Sequence, residues 1–229
     1  MTANKDLALK KIEKEFEELS NLVLEQLQLL NELFTSDKKS RVQEIFQVQC
    51  KNEEKIDKYE VELEDNIIKA IVLYQPVATD LRRLFSIYHM TINLERVGDL
   101  VQKIGTTYLE LKDSGFLEEA MDTLVNLLKI TSKMINRALL SFINNDKDIA
   151  ARTIRTDTAY DDLNKKLLKK SIKAAGLPKK SQAILNNLVD MRAMLASIER
   201  IGDHATNIAE ASIYAISGTN IRHTDAKKE

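Results

Sequence analysis

Eight carboxylates in this chain fall into four pairs spaced four residues apart: Glu53 with Asp57, Glu95 with Asp99, Asp157 with Asp161, and Glu199 with Asp203. On a helix such residues stack on one face, so each pair sets two like charges side by side. That arrangement costs an isolated helix roughly 0.2–0.5 kcal/mol. A multivalent cation removes the cost, because carboxylate oxygens are its natural hard ligands. The chemistry on offer is therefore metal binding. One acidic pair is ordinarily just a solvated helix face. These four share a register: Glu53 matches Asp157, Asp57 matches Asp161, Glu95 matches Glu199 and Asp99 matches Asp203, each 104 residues on.

The later pair in each half belongs to a word written twice, Glu95-Arg96-Val97-Gly98-Asp99 and Glu199-Arg200-Ile201-Gly202-Asp203. Leu63 and Leu167, Met90 and Met194, and Ile104 and Ile208 keep the same offset, so the chain is an internal duplication. A glycine inside a helix costs about 0.5–1 kcal/mol relative to alanine. Gly98 and Gly202 thus imply a close approach, by a neighbouring helix or by a ligand. Arg96 and Arg200 stand beside the carboxylates and are placed to neutralise them. The Met90/Met194 pair reads as packing.

The elements that position these residues are helices. The 229 residues hold six Gly and two Pro, 30 % charged and 5 % aromatic residues, a balance suited to long amphipathic helices and short of the turns that a sandwich or barrel needs. A stripe from Leu9 through Phe16, Val23 and Leu30 to Phe34 marks the first helix, and Thr35-Ser36-Asp37 ends it. The second runs to about Tyr74, where Gln75-Pro76 breaks it, with Pro76 expected in the first turn of the third. The third has the cleanest period: Ile87, Met90, Leu94, Val97, Val101, Ile104 and Tyr108. Asp113-Ser114-Gly115 closes the first half. A fourth helix from Leu117 to Phe142, a fifth to about Ala175 and a sixth through Met191, Ile198 and Ile208 repeat the plan. The expected fold is all-α, two tandem three-helix bundles over residues 1–113 and 114–217 with a polar tail at 218–229. With Leu94 at heptad position a, Glu95 falls at b and Asp99 at f, so the carboxylates are predicted to face outward rather than into a bundle core.

Several classes are excluded or disfavoured. A formal charge of −1 brings no general attraction for nucleic acid or an anionic membrane. The single Cys50 permits neither an intrachain disulfide nor a cysteine-based zinc finger. No Gly-rich phosphate loop, Cys/His dyad or nucleophile motif is present. The charged stretch from Met1 to Lys14 has no signal-peptide core, and no segment approaches ~20 apolar residues, so a soluble cytoplasmic protein is expected.

With these residues in place, the chain resembles the PhoU family of phosphate-uptake regulators over nearly its whole length. The likeness rests on the six helices in two repeats, the two Glu-Arg-(Ile/Val)-Gly-Asp words, and the stretch Gln75-Pro76-Val77-Ala78-Thr79-Asp80-Leu81-Arg82 leading into the third helix. The second word, from Glu199 to Glu210 with His204, Asn207 and Ile208, is the closer copy; in the first, Leu100 and Lys103 replace His and Asn. The resemblance implies surface clusters of iron or zinc held by the eight paired carboxylates. It implies a non-catalytic adaptor linking the ATPase subunit of a phosphate ABC transporter to a sensor histidine kinase and repressing phosphate-starvation genes. A homodimer is expected, and membrane association only through partners. Two other readings compete: a metal-dependent phosphohydrolase working at the carboxylates, and a plain helical scaffold.

Overall fold

The computed structural model describes residues 2–36, 38–111, 117–156 and 182–222. Helices α1 (Thr2–Thr35), α2 (Lys39–Tyr74) and α3 (Thr79–Leu111) form the first bundle. The second holds α4 (Glu118–Ile143), α5, described over residues 147–156, and α6 (Gln182–Ser217). No strand occurs among the described residues. The fold is the expected pair of tandem helical bundles. Asp157, Asp161 and the expected end of the fifth helix at Gly176-Leu177-Pro178 lie outside the described residues, as does Asp113-Ser114-Gly115.

One boundary differs from expectation. Pro76 does not open α3, which begins at Thr79. Gln75 (φ 46°) and Ala78 (φ 49°) are both left-handed and bracket Pro76-Val77, so the chain reverses before the helix can start. The Gln75 N–H still bonds the Ile71 carbonyl, which closes α2. At the next reversal Asn145 takes φ 52°, and the Asp146 carboxylate accepts from the Asp148 and Ile149 amides at 2.9 and 3.2 Å, capping α5.

Side-chain partners set the directions. Gln26 meets Gln49 and Tyr59 meets Glu18, so α2 runs back along α1. Lys5 meets Asp80 and Phe34 meets Tyr108, so α3 runs parallel to α1. The bundles join mainly through α3 and α6. Arg82 lies beside Gly218, Asn93 bonds His204 and Asn207, and Leu100 and Lys103 share a cavity with Arg200, so the two helices are antiparallel. The twice-written words thereby face each other across the joint. Leu94, Val97, Val101 and Ile104 on α3, like Ile198, Ile201, Ala205 and Ile208 on α6, are fully buried. Gly202, Ala205 and Ala209 are buried along α6, which packs against both α3 and α4. Ile221, past the left-handed Gly218, folds back onto the core. No helix among the described residues is long and apolar enough to cross a membrane.

Candidate metal centre

The α2 stripe is apolar at Val42, Ile45, Ile56, Leu63 and Ile67, yet between them it runs through Gln49, Asn52 and Glu53, all buried. These polar residues pack against Gln26 of α1, also buried, and against the glycines of α3. A methyl group on Gly98 would lie 2.9 Å from Glu53 Oε2 and 3.1 Å from Ile56 Cδ1. One on Gly105 would lie 3.0 Å from Gln49 Oε1 and 3.3 Å from the Phe46 ring. The two glycines, seven residues apart on one face of α3, make room for a polar layer of α2. Gly98 therefore admits the carboxylate of a neighbouring helix.

Glu53 corrects the outward reading for one member of the set. Its side chain is 5 % exposed, because position 53 continues the core stripe of α2. Gln26 Nε2 donates to Glu53 Oε2 at 3.4 Å and to the Gln49 carbonyl at 2.9 Å. Glu53 Oε1 has no hydrogen-bond partner among the described residues, nor have both amide atoms of Gln49, Gln26 Oε1 and Asn52 Nδ2. Burial, then the charges of Asp99, Asp57 and Glu95, push the Glu53 carboxyl up to about 8. Glu95, half-buried, is pushed up to about 7 by burial, then by Glu60, Asp99 and Asp57. Asp57 and Asp99 are exposed, as the heptad frame predicts.

The structure thus brings Glu53, Asp57, Glu95 and Asp99 onto one face between α2 and α3. It adds Glu60, whose carboxyl is pushed up by burial, Glu64, Asp57 and Asp99. Glu60 lies three residues past Asp57, a spacing that would have revealed it; Gln26 and Asn52 are legible only once the stripe is followed through its polar positions. The donor set is all oxygen, with one buried carboxylate oxygen unpartnered, and that chemistry fits a hard or borderline cation. Among the described residues no three carboxylate or histidine side chains already converge on one point. Coordination would require the exposed Asp57 and Asp99 and the half-buried Glu95 to swing toward Glu53.

In the second half, α6 carries Glu199 half-buried and Asp203 exposed, while their partners Asp157 and Asp161 lie outside the described residues. His204 turns to α3 and not to the carboxylates beside it. It is 7 % exposed, and its Nδ1 lies 2.9 Å from Asn93 Oδ1, which also accepts from Asn207 Nδ2 at 3.2 Å. Burial, then Arg200 and Arg96, lower its pKa to about 4, so the ring is neutral. By the 104-residue offset the equivalent pair is Ser197 and Leu100, both 5 % exposed, with the Ser197 hydroxyl bonded to the Ala193 carbonyl. Leu100 is therefore an apolar answer to the same packing demand that His204 meets.

Comparison with known proteins now decides the family. The PhoU domain matches residues 16–107 and again 124–212. The chain belongs to the PhoU family. A PhoU homologue from Burkholderia sp, named a phosphate-specific transport system accessory protein, is 33 % identical over 175 residues, covering 76 % of this chain and 73 % of that protein. The crystal structure of PhoU from Pseudomonas aeruginosa is similar with a TM-score of 0.84 at 26 % identity, covering 93 % of this chain and 99 % of that one. The phosphate transport system regulatory protein PhoU from Streptococcus pneumoniae gives a TM-score of 0.80 at 25 % identity, covering 94 % and 98 %. The PhoU repeats correspond to the two bundles, and each contains one copy of the word.

Gly98 provides a direct test. Gly98→Ala is expected to displace the Glu53 carboxylate while alanine's better helix propensity, about 0.5–1 kcal/mol, offsets part of the crowding. Zinc affinity should fall while urea unfolding changes by no more than about 1 kcal/mol. Gly105→Ala, which crowds Gln49 and the Phe46 ring, should lower stability and leave zinc affinity unchanged.

Proposed function

We infer that this chain is a cytoplasmic, non-catalytic regulator of phosphate uptake that acts through protein contacts, with metal bound at its paired carboxylates as a structural or conformational element. Membership of the PhoU family, and relatives named as accessory proteins of phosphate-specific transport, support the phosphate role. The observation that carries the metal role is the buried, half-satisfied Glu53 carboxylate seated under Gly98 among Asp57, Glu95 and Asp99. By the 104-residue offset, Glu199, Asp203, Asp157 and Asp161 are the proposed counterparts in the second half of the chain. Iron or zinc, in a multinuclear cluster that these carboxylates would hold, is the proposed occupant. The partners are the ATPase subunit of a phosphate ABC transporter and a sensor histidine kinase, and the output is repression of phosphate-starvation genes.

Protein contact has a surface to use. Val61, Ile68, Val72 and Leu73 of α2, Val77 of the turn and Phe85 of α3 are exposed apolar side chains that a partner would cover. Homodimerisation is part of the proposal. Pull-down with the cytosolic parts of the transporter and kinase, at high and low phosphate, tests the regulator. Retention of both partners, changed by phosphate, is expected. Elemental analysis should find iron or zinc in the purified protein and a loss in a Glu199→Ala/Asp203→Ala variant. Turnover of phosphate esters abolished by that variant would support a metal-dependent phosphohydrolase instead.

A further inference from the structure

A basic cavity of about 470 Å³ lies at the joint between the bundles, where α3 and α6 cross. Arg96, Gln102, Lys103 and Thr106 of α3 and Arg200 of α6 line it, with Leu100 alongside and Asp99 at the same wall. Arg96 and Arg200 are the same residue of the two words, 104 positions apart, and the antiparallel packing brings both to one opening. Both guanidiniums also act on the His204 ring, so their positive potentials overlap at the joint. Arg96, Lys103 and Arg200 are exposed and have no ion-pair partner within 4.0 Å among the described residues. Among its lining residues three cations meet one carboxylate, and Arg96 also acts on Glu60 and Glu95 beside it. The cavity is built to hold negative charge.

The cavity is also one-sided. Carried across by the 104-residue offset, the mirrored position would present Asn207 in place of Lys103 and Glu210 in place of Thr106. Glu210 is 5 % exposed and lies 4.0 Å from Arg222, so the mirrored position carries a buried carboxylate where this side is basic. Lys103, the residue at which the first word departs from the second, supplies the third cation. Guanidinium forks and an ammonium bind tetrahedral oxyanions by charge-assisted hydrogen bonds, and the Gln102 amide adds a neutral donor.

We propose that the cavity between the two repeats is a binding site for a phosphate-type oxyanion, held by Arg96, Arg200 and Lys103. The ligand is free inorganic phosphate or a phosphate monoester on a partner; both present the same dianionic group. Its seat spans α3 and α6, so binding ties the two bundles together. The site adjoins the carboxylate centre at Asp99 but takes its ligand through Arg96, Arg200 and Lys103, and metal-free protein tests it, so its failure would leave the cation reading standing.

The test is equilibrium dialysis of labelled inorganic phosphate against the full chain, stripped of metal and dialysed free of chelator, with phenyl phosphate as competitor. Saturable binding is expected, weakened about tenfold in Lys103→Asn and again in Arg200→Gln, since each removes one charge-assisted contact. Both substitutions are at exposed side chains, and unchanged helical circular dichroism would show that the fold survives. Weakening on raising salt is expected as well. Efficient competition by phenyl phosphate assigns the site to a monoester, and weak competition assigns it to the free ion. No saturable binding by the wild type, or equal binding in both variants, would overturn the proposal.

Discussion

In metal-free protein, Glu53→Gln should raise the free energy of unfolding at pH 8 by on the order of 2–4 kcal/mol. Glutamine keeps the shape and the contact under Gly98 but removes the charge that burial and three neighbouring carboxylates oppose. A carboxyl raised in the folded state holds its proton there after the unfolded chain has lost it. Its stabilising contribution is complete below the ordinary carboxyl range and is lost as pH climbs toward about 8 for Glu53 and about 7 for Glu95. The wild type should therefore unfold more easily at pH 8 than at pH 6.5, and Glu53→Gln should flatten much of that slope. His204 acts in the opposite sense. Lowered to about 4, it contributes stability above the ordinary histidine range, lost as pH falls toward 4, so the carboxylate effect is cleanest above pH 6.5. Urea unfolding of both proteins from pH 6.5 to 8.5 measures the difference.

Phe142→Ala is the second large effect, a loss of about 3–5 kcal/mol. Phe142 is 2 % exposed near the end of α4 and meets Phe16 of α1 edge-on, with ring centres 5.5 Å apart. Arg83 of α3 lies over its ring, 4.2 Å from the centre, while bonding Glu13 of α1 and Asn145 past α4. Truncation leaves a cavity and strips the platform from under a guanidinium that ties both bundles together. A matched change within one bundle, Ser212→Ala, removes only the 2.6 Å bond from the Ser141 hydroxyl and should cost about 1 kcal/mol. Thermal unfolding of Phe142→Ala should also broaden, because the joint between the repeats weakens before either core.

Much of this architecture is legible in the amino-acid pattern. The stripe on α3 predicts the residues that prove fully buried, and the heptad frame predicts that Asp57 and Asp99 stay exposed. Glu53 escapes because a count of apolar residues skips polar ones. Followed by geometry alone, Ile45, Gln49, Glu53 and Ile56 form a continuous face, and only Gly98 on another helix lets a carboxylate sit there. His204 likewise stands beside Asp203 in sequence yet one position before the core residue Ala205, so the helix turns it toward α3 and Asn93. Contacts made between helices far apart in the chain carry no local signal. The pairing of Arg96 with Arg200 in one cavity is of that kind: the repeat shows the two residues to be equivalent, and only the antiparallel crossing shows them to be neighbours.

The proposed cation site keeps its buried donor, Glu53, largely protonated while no cation is bound. Zinc titration by calorimetry at pH 7.5, in buffers of different ionisation enthalpy, reads affinity and proton release together. A Glu199→Ala/Asp203→Ala background confines the signal to the first bundle. Binding that releases about one proton, with affinity reduced about tenfold or more and proton release cut to about a quarter by Glu53→Gln, is the predicted result. Zinc bound equally well, with the same proton release, after Glu53→Gln would contradict it.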